Sequence, residues 1–236
     1  MEQEPEYKDF FIDSSKNGRR ILLDTSIFEL GEAFDLEKYA YWVNELKPYE
    51  YILPDVLEDG NATIRNSENF VKKYPDLPGK KIGVVQGKSY EEIMFCYKYL
   101  NENLNVDKIA ISFDYSYYKD LAPNPNKWTS FMMGRVLLIN KLLKDGVINK
   151  NKPHHLLGCS NPLEFSFYKH PDYNFIESID TSSPIVHGLH KVYYYEQIGD
   201  WEKESTKLAD LIKAQVDDQQ KAVIFYNIKQ FRRYVW

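Results

Sequence analysis

The chain has 236 residues, 43% of them hydrophobic, and no uninterrupted apolar run long enough to cross a bilayer, which argues for a soluble, cytoplasmic protein and no membrane partner. A chain of this length can bury a substantial core, and one domain spanning residues 1–236 is expected. The 30 basic and 35 acidic side chains leave a formal charge of −5, so nucleic acid is not attracted globally and would need a local basic patch.

In chain order, Arg20 to Asp24 is a short apolar run ending in an acid, and Phe34 to Leu46 carries helix-spaced apolar residues before Pro48. Tyr51 to Asp55 reads as a second strand, again ending in an acid. Asn61 to Tyr74 reads as a polar helix stopped by Pro75. Lys81 to Gly87 is the third strand, and its glycine lets the backbone turn sharply or lie close to a ligand. Ser89-Tyr90-Glu91-Glu92 is a capping box for a helix burying Ile93, Met94, Tyr97 and Leu100.

Lys108 to Asp114 is the fourth strand, followed over Tyr115 to Lys127 by an expected long loop across the sheet rim. Trp128 to Leu143 is a strongly apolar helix closed by Asp145-Gly146. His154 to Cys159 is the fifth strand, and Asn161-Pro162 supplies an N-cap and an N1 proline for a short helix to Tyr168. Phe175 to Asp180 alternates as a buried sixth strand should, then gives way to Thr181-Ser182-Ser183-Pro184. An amphipathic helix is expected near Trp201 to Val216. Ala222 to Tyr226 reads as a further strand or as more helix.

Alternating β and α segments of this kind predict an α/β fold with parallel strands, of which the TIM-type (β/α)8 barrel, abbreviated at its N-terminus, is preferred. Asp9 to Asp13 and Ala222 to Tyr226 are the candidates for the missing strands. A doubly wound open sheet is the alternative, without a Gly-x-Gly-x-x-Gly fingerprint to support it.

In either fold Asp24, Asp55, Gln86-Gly87, Asp114 and Asp180 fall at the carboxyl ends of strands, the functional rim of a parallel sheet. A rim of carboxylates can bind Mg²⁺, or it can divide its acids between a nucleophile and a general acid or base. Asp suits attack at an anomeric carbon, because a carboxylate both stabilises an oxocarbenium-like transition state and traps it covalently. The plainer reading of Asp180 is a turn cap, with Thr181 to Ser183 making similar local bonds. Cys96 and Cys159 are the only cysteines and lie far apart, so no zinc site, other metal centre or disulfide framework is expected. The acidic N-terminus, Met1 to Glu6, does not read as a targeting segment.

The ordered series Leu22-Leu23-Asp24-Thr25-Ser26-Ile27-Phe28-Glu29, Ile82 to Gly87, His155-Leu156-Leu157-Gly158 and Ser178-Ile179-Asp180-Thr181-Ser182 resembles the tRNA-guanine transglycosylase superfamily. It also resembles that superfamily's phage and bacterial paralogues, which insert 7-deazaguanines into DNA. The resemblance runs from about Arg20 to Pro184 and rests on the series, since no single motif in it is specific.

What it implies is a pentosyltransferase without a cofactor. Asp180 would attack C1′ and expel guanine, and the incoming 7-deazaguanine would displace Asp180 with retention. Asp24 matches the family's acid/base residue, and Phe28 falls where an aromatic stacks on the base. Asp55 matches the acid that reads the guanine N1 and N2 edge, Gln86 with Gly87 the group holding O6, and Ser112 belongs to the pocket floor.

Several departures qualify the match. Neither glycine of the usual turn after Asp24 is present, Ser112-Phe113-Asp114 replaces a Gly-Gly-Leu, and the family's C-terminal zinc site and RNA-binding domain are missing. Because the zinc region supports tRNA docking, DNA is the preferred polymer, with tRNA the alternative, and a homodimer is compatible with the family.

Flipping a nucleotide out of DNA costs about a few kcal/mol, and Tyr115, Tyr117, Tyr118 and Trp128 are aromatics that could offset it, although core or surface packing is the plainer reading for any one of the tyrosines. Two other readings use the same residues: a nucleosidase or glycoside hydrolase with water as acceptor, and a non-catalytic subunit of a transglycosylase heterodimer. His187, His190 and the His154-His155 pair read as packing residues. The basic stretches Arg19-Arg20, Lys144 to Lys152, and Lys229 with Arg232-Arg233 are the places where a polyanion could bind, an ordinary solvated surface being the plainer reading of each.

Overall fold

A computed structural model describes residues 5–25, 35–159, 161–197 and 215–235. The elements are α1 (Pro5–Lys16), β1 (Leu22–Leu23), α2 (Leu36–Leu46), β2 (Glu50–Ile52), α3 (Gly60–Lys73), β3 (Lys80–Val85), α4 (Tyr90–Lys98) and β4 (Lys108–Ile111). They continue with α5 (Tyr117–Leu121), α6 (Lys127–Lys144), β5 (His154–Leu156), β6 (Ile176–Ile179), α7 (Ser183–Leu189) and α8 (Asp218–Val235). Short 3₁₀ turns at Pro162–Tyr168 and Pro171–Tyr173 join β5 to β6. The fold is mixed α/β, and its strands form one six-stranded sheet in the order β1-β2-β3-β4-β5-β6, in which β1–β2, β2–β3 and β5–β6 pair in parallel. No helix among the described residues is long and apolar enough to cross a membrane.

The chain divides into two compact units, residues 1–87 with 91–110, and residues 88–90 with 111–236. In the first, Ile52, Leu53, Ile82, Val84 and Val85, Val43 and Leu46 of α2, Phe70 of α3 and Ile93 and Tyr97 of α4 are all fully buried or nearly so. Local chemistry sets the helix ends. Asp35 caps α2 by accepting from Glu37 N and Lys38 N, and Lys47 closes it in a left-handed conformation just before Pro48. Asp59 caps α3 through Ala62 N. In the second unit, Leu138, Ile139 and Leu142 of α6 and Leu156 of β5 are fully buried, and Val223 and Phe231 of α8 are buried with them. Asn126 caps α6. Asn161 caps the first 3₁₀ turn with Pro162 at N1, the one of these two caps that the sequence predicts.

Four expectations need correction. Asp9 to Asp13 and Ala222 to Tyr226 are helical, within α1 and α8, so neither supplies a barrel strand. Short apolar runs do not distinguish strand from helix, and in α8 the burial of Val223, Asn227 and Phe231 at four-residue intervals decides for helix. The expected rim loop Tyr115 to Lys127 contains α5, and Tyr115 and Tyr118 are 1% and 0% exposed, so these two are core residues unable to stack on a base. Gly134 of α6 permits that packing, because a Cβ there would strike Tyr118. Finally, β6 is only partly buried, as befits the last strand of the sheet. The helix expected near Trp201 to Val216 lies almost wholly outside the described residues, and Gln215 and Val216 are irregular.

Candidate functional site

In the first unit the ends of β1, β2 and β3 are drawn together by buried polar contacts. The Tyr39 hydroxyl lies 2.7 Å from the carbonyl of Ile52 and 3.0 Å from that of Leu23, so its one proton serves the ends of both strands. Burial first, and then the negative charges of Asp24 and Asp55, hold the Tyr39 phenol well above its ordinary pKa, so it remains a donor. Asp24 itself is exposed, with the Thr25 hydroxyl 3.4 Å from its Oδ1.

Asp55 is buried, and its Oδ2 accepts from Gln86 Nε2 at 2.8 Å. Gln86 Oε1 accepts in turn from Glu58 N at 2.9 Å, which fixes the orientation of the amide. The first turns of α3 hold the segment that presents Asp55, with Ser67 Oγ donating to Pro54 O and Thr63 Oγ1 accepting from Val56 N. Gly87 and Gly60 are needed here for space: a Cβ on Gly87 would meet Ile93 N at 2.8 Å, and one on Gly60 would meet Gln86 O at 2.7 Å. Asp24, Asp55, Gln86 and Gly87 thus share one rim, as the sequence predicts. Phe28 lies outside the described residues.

In the second unit the end of β6 presents Asp180 and the end of β5 holds it. His155 Nε2 lies 3.1 Å from Asp180 Oδ1, and Gly158 N donates to the same oxygen at 2.8 Å. A carboxylate only accepts, so Nε2 donates to it, and Nδ1 lies 2.9 Å from the Ser178 hydroxyl. His155 is 2% exposed while Asp180 is 57% exposed, a fixed buried donor beneath a carboxylate facing solvent. Both contacts fall on Oδ1, leaving Oδ2 without a donor among the described residues.

Crowding by protein would by itself raise the Asp180 pKa, but more than half of the side chain faces water. The His155 bond and charge, the Gly158 N–H and the more distant Arg135 outweigh it and hold the carboxyl below its ordinary range. The turn-cap reading of Asp180 is not what the structure has. Thr181 bridges the turn instead, donating to Cys159 O and accepting from Ser183 N.

Gly158 reaches its position with φ +61°, and a Cβ there would collide with the Phe113 ring, so only glycine fits. Beneath it Arg135 of α6, wholly buried, donates to Leu157 O at 2.7 Å and Gly158 O at 2.8 Å, with Ile111 O at 3.4 Å. Its charge is met by Glu164 in a two-point pair at 2.7 and 2.8 Å, and Tyr168 donates to the same carboxylate at 2.9 Å. Desolvation opposes that charge, but Glu164 more than compensates, and the guanidinium pKa rises.

Ser112 follows β4 and is engaged locally: its hydroxyl donates to Asp114, its N–H donates to the Tyr115 hydroxyl, and its carbonyl accepts from Tyr118. Asp114 is accordingly a turn former. His187 is buried on α7 against Ser183 O, a packing role as expected. The residues missed from the sequence are His155 and Arg135. Their signal was a histidine and an arginine at positions where a core calls for apolar groups. No cluster of three or more potential metal ligands occurs among the described residues. No protein-family model matches the chain, and no curated protein matches it either.

Proposed function

We propose that the protein is a transglycosylase that exchanges guanine in DNA for a 7-deazaguanine base, through a covalent intermediate on Asp180. The observation that supports it most is the Asp180 arrangement: a carboxylate held ionised, one oxygen fixed by His155 and Gly158, the other open toward solvent. That is how a carboxylate nucleophile has to be presented. Oδ2 forms a bond to C1′ as the C1′–N9 bond breaks, and the electron pair leaves with guanine, which takes a proton from a general acid. The 7-deazaguanine then loses its N9 proton to the conjugate base and attacks C1′, releasing Asp180, so two inversions give retention.

Asp24, exposed at the end of β1, is our candidate for that acid and base. Asp55 and Gln86 supply an acceptor and a donor suited to the edge of a guanine, with Gly87 beside them on the same rim. The six-stranded sheet is read here as part of an abbreviated TIM-type barrel. DNA is preferred over tRNA as the polymer, in a DNA-modification system of phage type.

Purified protein incubated with labelled guanine and guanine-containing DNA or tRNA should incorporate label into DNA, and a 7-deazaguanine should displace it. Asp180→Asn should abolish exchange while leaving the melting temperature nearly unchanged. Exchange by that variant would remove the mechanism. Release of guanine without incorporation would point to hydrolysis instead.

A further inference from the structure

The net charge of −5 means that a polyanionic substrate has to be held by a local surface, and the structure separates the three basic stretches. Arg19 and Arg20 lie over the rings of Phe10 and Tyr49 at 5.9 and 4.7 Å, and Lys150 is paired with Asp172 at 2.7 Å. On α8 the inner face is fixed. Val223, Asn227 and Phe231 are buried, and Asn227 bonds Tyr194 N and Val192 O. The opposite face carries Lys221, Phe225, Lys229, Arg232 and Arg233 at helical spacing, all exposed, with Phe225 71% exposed. Asp218, paired with Lys221 at 3.1 Å, is the sole acid on the helix.

Arg232 also lines a cleft of about 630 Å³ whose other wall includes Ile176 to Ile179 of β6 and Thr181, which flank Asp180. We infer that the outer face of α8 is a docking surface for the phosphate backbone of DNA, with Phe225 offering a ring to a sugar or an unstacked base. The choice of DNA rests on the transglycosylase reading; the preference for a polyphosphate rests on the charge pattern. The stripe from Lys221 to Arg233 is about 18 Å long at 1.5 Å per residue, the axial length of about five base pairs. A row of cations at this spacing on a rigid helix suits a regular line of phosphates, and Phe225, the one aromatic of α8 that is exposed, is too little to insert into a lipid surface.

The test compares the full chain with the triple variant Lys229→Ala, Arg232→Ala, Arg233→Ala. Binding to a fluorescent DNA duplex containing an unpaired stretch is followed by anisotropy over a range of salt concentrations. Losing three phosphate contacts should lower the slope of log K against log salt by about 2 to 3 and weaken binding at least about tenfold. Circular dichroism should show an unchanged fold. A variant with the wild-type slope and affinity overturns the proposal. So does wild-type protein that binds phosphatidylserine vesicles through these residues as tightly as it binds DNA. Wild-type protein that shows the expected DNA binding but exchanges no guanine sinks the transglycosylase reading alone. Exchange by wild type, with the variant's DNA binding unchanged, sinks the α8 surface alone.

Discussion

Replacing Glu164 by leucine should be among the most damaging single changes to the second unit, and the reason lies in Arg135. Its guanidinium is 0% exposed and meets one carboxylate, at 2.7 and 2.8 Å, together with the carbonyls at the end of β5. Without Glu164 the cation stays buried with only dipoles around it, which costs about 3–5 kcal/mol, and the Tyr168 hydroxyl loses its acceptor at about 1 kcal/mol more. For a chain of this size that corresponds to a fall in melting temperature of roughly 8–24 °C. The double variant Arg135→Met, Glu164→Leu removes both charges and fills the space with apolar groups, a change that is often neutral or stabilising for a buried pair. Part of that gain is lost because Leu157 O and Gly158 O are left without their donor.

Urea unfolding of wild type, both single variants and the double gives the coupling energy. The expected order places the double variant above Glu164→Leu in stability. A Glu164→Leu cost below about 1 kcal/mol, or strictly additive effects, would refute the argument that Arg135 is an otherwise stranded charge.

Two further predictions concern the two adjacent histidines of β5. Burial pushes the His154 imidazole down from 6.5 to about 4, with its Nδ1 2.8 Å from Lys152 O. Its folded-state pKa is depressed, so its contribution is fully present above about 6.5 and is lost as pH falls, amounting to about 3 kcal/mol once pH is below the folded value. Urea unfolding near neutrality and near pH 4 should show that decline in wild type and a decline smaller by about that amount in His154→Phe; parallel curves would contradict it. For His155, the buried donor beneath Asp180, leucine should slow base exchange by about 10- to 100-fold, whereas glutamine, which can present an amide N–H near the Nε2 position, should restore part of the rate. Without the donor the Asp180 pKa rises, so the acid limb of kcat/KM should move to higher pH in His155→Leu. An unmoved limb would show that His155 does not act through Asp180.

Strand ends were legible in the sequence because they carry two signals at once, an apolar β-branched run and an acid or glycine at its close. Asp24, Asp55, Gln86 and Asp180 stand out in the sequence for that reason. What sequence reading could not supply was the direction of side chains behind the rim. His155 and Arg135 sit within apolar stretches, and their task depends on which strand lies beside which. The helical state of Ala222 to Tyr226 was equally hidden, since five apolar residues satisfy either period until Phe231 joins Val223 and Asn227 on one buried face. The burial of Tyr115 and Tyr118 was hidden for a related reason: aromatics near a rim suit stacking or packing, and the glycine at 134 that lets α6 close over Tyr118 is sixteen positions further on.

The Asp55–Gln86 bond has a consequence for how a base would enter. Both side chains are buried, and in the free protein each satisfies the other at 2.8 Å, so no lone buried charge waits for a ligand. On the transglycosylase reading a guanine edge has to compete with that bond: its N–H groups take over the Asp55 oxygens, while its O6 draws on the Gln86 amide, whose Oε1 remains tied to Glu58 N. A base lacking the exocyclic amine leaves Asp55 partly unpaired on burial, at about 1–3 kcal/mol. Hypoxanthine should therefore exchange roughly 5- to 150-fold less efficiently than guanine in a competition assay. Equal exchange of the two bases would mean that Asp55 does not read the base edge, and its bond to Gln86 would then be a structural tie between the ends of β2 and β3.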